Sequence, residues 1–114
     1  MSEECDLDAI AAVLEDGTAR AILTETSMEP ASADELAERC DASGPTIYRR
    51  LDDLRACDLV EERTRPDPAG GHHRTEYAAT LERVTVELDD GTFSLRVDRR
   101  ADMADRFTRL IEGM

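Results

Sequence analysis

Apolar positions recur at helical spacing through the first half of the chain and at alternate positions through much of the second. From Asp6 to Glu15, Leu7, Ile10, Ala11 and Leu14 fall at 0, +3, +4 and +7, one apolar face of a helix that Asp6 or Asp8 can cap. Gly17 breaks that run, and Thr18–Glu25 predicts a second helix with Ala19, Ile22 and Leu23 inward. Thr26–Ser32, containing Pro30, reads as a loop. Ser32 with Glu35 three residues later is a capping box, so a third helix over Ala33–Cys40 buries Leu36, Ala37 and Cys40. Asp41-Ala42-Ser43 is a turn, and Ser43 caps a fourth helix, Pro45–Cys57. Pro45 fits its first turn, where no backbone donor is needed, and Ile47, Leu51 and Leu54 at 0, +4 and +7 face inward.

Beyond Asp58 the period shortens. Leu59–Arg65 is compatible with a strand, Pro66–Gly71 is a strong turn signal, and His72–Ala79 reads as the returning strand of a long-looped hairpin. A second hairpin follows. Val84, Val86 and Leu88 alternate against Thr85 and Glu87, Asp89-Asp90-Gly91 turns the chain, and Phe93, Leu95 and Val97 alternate on the return. Arg99–Glu112 resumes helical spacing, with Met103, Phe107, Leu110 and Ile111 at 0, +4, +7 and +8. The architecture predicted is α+β: a winged helix-turn-helix with a three-helix core, a β-wing, a second β-hairpin and a C-terminal helix. A single domain over 1–114 is expected, with helix-turn-helix and wing at 6–80, the second hairpin at 81–98 and a dimerisation helix at 99–113.

Composition changes this picture in three places. The chain has 114 residues, enough for one modest core, and 40% hydrophobic content separates it from a disordered acidic tail. No apolar run approaches the ~20 residues of a membrane span, and the acidic start Met1–Asp6 does not resemble a signal peptide, so a cytoplasmic address is expected. Cys5, Cys40 and Cys57 are odd in number and widely spaced, which does not read as a disulfide framework. Core packing is the expectation for Cys40, with a thiol or metal sensor as the alternative.

The net charge is −13, and all 14 basic residues are Arg. That pattern reads as halophilic: carboxylates hold water and cations where salt competes for both, and Lys would add exposed apolar stem. An acid excess opposes contact with DNA. Its distribution weakens the objection. Residues 1–42 set two Arg against twelve acids, net −10, whereas residues 43–83 set seven against eight, net −1, and residues 84–114 five against seven, net −2.

The fourth helix is the functional candidate. A recognition helix offers its amino-terminal residues to base edges and its amino end to a phosphate. With Ile47, Leu51 and Leu54 inward, Thr46, Arg49, Arg50 and Asp53 lie toward solvent. Arg49 or Arg50 can fork onto guanine O6 and N7, Thr46 can meet a thymine methyl or a phosphate, and Ser43, Gly44 and Tyr48 suit backbone contacts. Arg63, Arg65, His72, His73 and Arg74 flank the Gly70-Gly71 tip, which can reach an adjacent minor groove. The bland alternative is a solvated Arg face on an ordinary amphipathic helix. His72-His73 would need further metal ligands, and Cys40 and Cys57 lack the spacing for it, so neither metal nor cofactor is expected. Without a phosphate loop, a nucleophile elbow or a His-x-x-His cluster, no enzyme is expected. Met103, Phe107, Leu110 and Ile111 can cover the sheet, or pair with the same helix or the first helix of a second subunit; the second reading is preferred, a two-fold dimer that presents two recognition helices ~34 Å apart.

Leu36-Ala37-Glu38, the run Gly44–Leu54 and Leu59-Val60-Glu61 together resemble the winged helix-turn-helix regulators of the ArsR type. The nearer likeness is to haloarchaeal regulators of that type, which continue with a segment like Gly71–Tyr77 and a second hairpin like Val84–Val97. The resemblance covers most of the chain from about Asp6 onward. It implies a homodimeric, sequence-specific regulator of transcription that binds double-stranded DNA, with no obvious small-molecule ligand. By position it implies recognition-helix contacts from Ser43, Thr46, Tyr48, Arg49 and Arg50, and wing contacts from His73 and Arg74. Metal-sensing members carry a cysteine pair at the start of the helix before the turn, where this chain has Ala33-Asp34-Glu35-Leu36-Ala37. Two rival readings stand beside this one: a protein-interaction module that kept the fold without DNA binding, and a thiol- or metal-responsive sensor.

Overall fold

Four helices precede two antiparallel hairpins in the computed structural model, which describes residues 5–67, 69–71 and 73–100. In chain order they are α1 (Leu7–Glu15), α2 (Gly17–Met28), α3 (Ala33–Arg39), α4 (Gly44–Ala56), β1 (Val60–Pro66), β2 (His73–Ala79), β3 (Leu81–Asp89) and β4 (Thr92–Arg99). The fold is a winged helix-turn-helix, with α3 and α4 as the helix pair and β1–β2 as the wing. No helix among the described residues is long and apolar enough to cross a membrane.

Side-chain caps set the helix boundaries. Asp6 accepts a hydrogen bond from the Ala9 amide at 2.9 Å and starts α1. Asp16 closes α1 and caps α2 through the Ala19 amide at 2.8 Å, so Gly17 opens the second helix instead of spacing the two. Arg20 donates to the carbonyls of Leu14 and Glu15, which α1 leaves without partners. The continuation of α2 to Met28 passes the predicted end at Glu25. Thr26 is buried there, its hydroxyl donating to the Ile22 carbonyl at 2.7 Å, so a polar residue takes an inward position without losing a hydrogen bond. The Ser32–Glu35 capping box forms as expected.

The core gathers one stripe from each helix. Ile22, Leu36, Ile47, Leu51, Leu54 and Leu59 are fully buried, with Ile10, Ala19 and Tyr77 beside them. Ala11, expected inward, is exposed, and Val13 takes its place on the core. Residues i and i+1 lie ~100° apart on a helix, so a narrow contact centred on Ile10 excludes Ala11. Asp41 and Asp58 stand at φ 51° and 57° at the ends of α3 and α4. Both occupy the left-handed region where glycine usually ends a helix, and a short acidic side chain tolerates that geometry.

β1 and β2 pair from Val60↔Ala79 to Pro66↔His73. Ala31 adds a one-residue bridge to Tyr77, with amide-to-carbonyl hydrogen bonds of 3.0 and 2.8 Å in both directions. The wing base is thereby sewn to the residue that precedes α3. Gly71, at φ +79°, makes the wing turn where a side chain would be strained. In the second hairpin Val84 faces Val97, Val86 faces Leu95 and Leu88 faces Phe93. Val84, Leu95 and Val97 pack against the core, while Val86, Leu88 and Phe93 are exposed.

Two expectations are corrected. Cys5 and Cys57 form a disulfide across 52 positions, with Cα atoms 5.3 Å apart. Spacing along the chain did not reveal it because the partners meet only when α1 lies across the end of α4. Closing a loop of that length removes about 4 kcal/mol of unfolded-state freedom in the chain-entropy account. Cys40, at the carboxyl cap of α3, is the free thiol. Second, Arg99 belongs to β4 and does not start a helix, because it pairs with Leu81 in the hairpin ladder. The remainder of the expected C-terminal helix, with Met103, Phe107, Leu110 and Ile111, lies outside the described residues, as does His72.

Candidate nucleic-acid interface

The amino end of α4 is built to be presented. Ser43 caps the helix, its Oγ accepting from the Thr46 amide at 3.3 Å and donating to the Thr46 hydroxyl at 2.9 Å. Pro45 occupies the first turn, where a missing amide costs nothing. Ile47, Leu51 and Leu54 hold the opposite face in the core. The surface turn that results carries Ser43, Thr46, Tyr48 and Arg49, with Tyr48 54% exposed.

The two adjacent arginines have different surroundings. Arg50 turns back toward the body: its Nε lies 2.9 Å from Asp16 Oδ2 and its Nη1 3.6 Å from Asp53. The side chain is 26% exposed. Asp16 thus joins three elements, capping α2, closing α1 and holding α4. The Ala19 amide, chiefly, and Arg50 keep its carboxyl below the usual carboxylate range. Arg49 points outward and is exposed. Alone among the described arginines, it makes neither an ion pair nor a hydrogen bond to a described residue.

The wing supplies a second cationic surface. Its register sets Arg65 directly opposite Arg74, a like-charged pair that a two-stranded ribbon keeps at a cost. An acid of the wing itself and one of the helical body limit that cost. Arg65 reaches the buried Glu76 at 3.3 Å, and Arg74 reaches Glu35 at 3.2 Å and the Ser32 hydroxyl at 3.3 Å. The Ser32 amide, first, and Arg74 hold the Glu35 carboxyl below its ordinary range. Both guanidinium groups stay accessible, their side chains 68% and 52% exposed.

Helix and wing meet over a cleft of about 360 Å³, lined by Tyr48 from α4, His73 and Arg74 from β2, and Ser32 and Asp34 from the start of α3. Of the residues expected at the interface, the cleft gathers Tyr48, His73 and Arg74, while Ser43, Thr46 and Arg49 stand on the exposed amino end of α4. Arg50 is separated from them by its bond to Asp16. Among the described residues, no group of three or more His, Cys, Asp or Glu is arranged to hold a metal ion.

The carboxyl end of α4 was not foreseen as a structural hub. Arg99 from β4 donates to the carbonyls of Cys57 and Asp58 at 3.1 and 2.8 Å, and pairs with the Asp58 carboxylate at 3.4 Å. A cation there satisfies orphan carbonyls and complements the negative end of the helix dipole. Nothing in the local sequence links positions 58 and 99. Only the β3–β4 register brings Arg99 to the place, and an unmatched Arg at the end of a strand is too common to serve as a signal.

Residues 14–63 match the family described as a helix-turn-helix domain. Over 93% of this chain and 73% of the other, the structure is similar to that of an ArsR-like transcriptional regulator from Rhodococcus sp. RHA1, with 25% identity and a TM-score of 0.53. No curated protein matches the chain.

Proposed function

We propose that this chain is a DNA-binding transcriptional regulator that reads duplex DNA with the amino half of α4 and steadies itself on the backbone with the wing. The match of residues 14–63 and the likeness to an ArsR-like regulator support the class. The observation that carries the site is Arg49, an exposed guanidinium with no partner among the described residues, on a surface where acids engage the other described arginines or backbone carbonyls hold them.

In this reading Arg49 forks onto a guanine edge or clamps a phosphate in the major groove, and Thr46 sits beside it. Ser43 and the first turn of α4 face a backbone phosphate. Tyr48, His73 and Arg74 line the cleft beside the strand, and Arg65 extends the grip outward along the wing. Arg50 is a positioning residue that keeps α4 at its angle to α1 and α2 through Asp16. The charge of −13 and the all-Arg basic set suit a protein that works in concentrated salt. Salt weakens phosphate contacts, so groove shape and base edges then carry a larger share of the affinity. A two-fold dimer completes the proposal. Its expected contacts, Met103, Phe107, Leu110 and Ile111, lie outside the described residues, and light scattering at working salt tests it by asking for twice the chain mass.

Fluorescence anisotropy with labelled genomic duplexes, run at the salt of the native cytosol, tests the site. Arg49→Ala is expected to lower affinity by about 5- to 150-fold, in keeping with the 1–3 kcal/mol of a good bidentate contact. Unchanged binding by Arg49→Ala would return the fold to the alternative of a protein-interaction module.

A further inference from the structure

We propose that Cys5 and Cys57 form a reversible redox site whose closed state strengthens DNA binding. The inference takes its functional consequence from the reading of α4 above, but its chemistry stands on the cysteine pair alone. The bond joins the residue two positions before α1 to the carboxyl cap of α4, the helix that bears Arg49. Compartments that hold DNA are kept reducing by small thiols, and a disulfide in a protein that works there is commonly a sensing one.

The surroundings admit such an exchange. Cys57 is 5% exposed, but Cys5 is half-buried and opens onto a groove of about 470 Å³ between α1 and α4. Ala9, Val13 and Ala56 line its apolar wall, and Asp16, Arg50 and Asp53 line the rest. A small thiolate entering there attacks the Cys5 sulfur and forms a mixed disulfide, and the Cys57 sulfur leaves as a thiolate and takes a proton. A second small thiolate attacks the mixed disulfide, releasing the oxidised small disulfide and returning Cys5 as a thiol. Two small thiols are oxidised and two cysteines are reduced. The reverse reaction, driven by a low-molecular-weight disulfide, closes the bond.

The groove also explains why opening reaches the DNA surface. α4 is held to the rest of the body at two places along this wall, covalently at Cys57 and through the Arg50–Asp16 ion pair one helical stretch earlier. Removing the covalent hold leaves α1 joined to α4 by the packing of Ile10 and by that ion pair. A recognition helix that is less firmly held must be ordered on binding, which lowers affinity. Arg49 and Thr46 lie at the far end of α4, so the bond acts through the helix without covering the surface that reads DNA.

The test uses the full chain, equilibrated either with an oxidised small disulfide or with excess small thiol. Alkylation under denaturing conditions followed by mass measurement should count one thiol in the closed form, Cys40, and three in the open form. The open form should keep its helical circular dichroism and bind a labelled duplex about fivefold or more weakly, and reoxidation should restore the affinity. Cys5→Ser should bind like the open form under both conditions. Equal affinity in the two states, or three thiols under both conditions, would overturn the inference. So would loss of the helical signal on reduction, which would make the bond a structural staple. If neither form binds any duplex, the DNA-binding reading falls and takes the functional consequence with it, whereas equal binding by both forms removes only the redox proposal.

Discussion

The two ends of α4 meet their surroundings in opposite ways. At the carboxyl end Cys57 is bonded to Cys5, Arg99 spans the last carbonyls, and Asp58 bends the chain into β1. At the amino end Ser43 closes the helix with its own side chain, and Thr46, Tyr48 and Arg49 face outward. One end is tied to α1 and to the second hairpin, and the other is left clear. The contrast shows how a surface that can face DNA persists in a chain with almost twice as many acids as arginines. Asp53, one turn beyond Arg49, is drawn to Arg50, and Arg50 is drawn to Asp16. Asp16 and Asp53 are therefore occupied by Arg50, and among the described residues no acid lies within ion-pair distance of Arg49.

Five measurements probe the difference between the two ends. The largest effect belongs to the anchored end. Opening Cys5–Cys57 should cost up to about 4 kcal/mol in denaturant unfolding, because the loop it closes is long. Leu54→Ala, in the core just before that end, should cost about 3 kcal/mol, measured by the shift of the unfolding midpoint. Arg49→Ala should reverse the pattern, leaving stability within about 0.5 kcal/mol while weakening duplex binding by 1–3 kcal/mol, or about 5- to 150-fold. If its main effect fell on stability, the presented end would be part of the scaffold after all. Ser43→Ala should cost about 1 kcal/mol of stability through the lost cap.

The smallest effect is a change in acid sensitivity. Asp16 and Glu35 both titrate below their ordinary range in the folded chain, each held down first by a helix-cap amide and then by an arginine. A carboxyl with a lowered folded pKa contributes stability that is fully present above its ordinary value of about 4 and is lost as pH falls through the lowered one. Acid titrations followed by circular dichroism should therefore show Asp16→Asn with a shallower acid limb than the unsubstituted chain. An unchanged limb would mean that ionised Asp16, with its Ala19 amide and Arg50 contacts, does not contribute to acid sensitivity.

Much of the helical half was legible because its signals are local. The Ser32–Glu35 box, the Ser43 cap and the Ile47, Leu51, Leu54 stripe each occupy a few consecutive residues, and each forms as the sequence predicts. Both hairpins were legible for the same reason, since turn residues and alternation sit side by side. What escaped is non-local. The bond between Cys5 and Cys57, the cap that Arg99 places on α4, and the Arg50–Asp16 pair across 34 positions all depend on elements brought together by packing. The same limit separates Arg49 from Arg50. Consecutive positions lie ~100° apart, which turns Arg50 nearer the Ile47, Leu51, Leu54 stripe than Arg49, but its partner Asp16 on the α1–α2 corner is supplied only by packing.

The bridge between Ala31 and Tyr77 bears on how the ribbon can accommodate different duplexes. Because the inner part of β2 is bonded to the residue ahead of α3, the base of the ribbon moves with the helical body. Bending is left to the outer portion, from Arg63 and Glu76 to the Gly71 turn, which among the described residues has no third strand beside it and reaches the body through the Arg74 side chain, on Glu35 and Ser32. A narrower or wider groove would then be met by flexing a short cantilever, while the angle between that ribbon's root and α4 stays constant. Amide hydrogen exchange should follow the same division, slow at Ala31 and Tyr77 and fast toward Arg65 and Arg74.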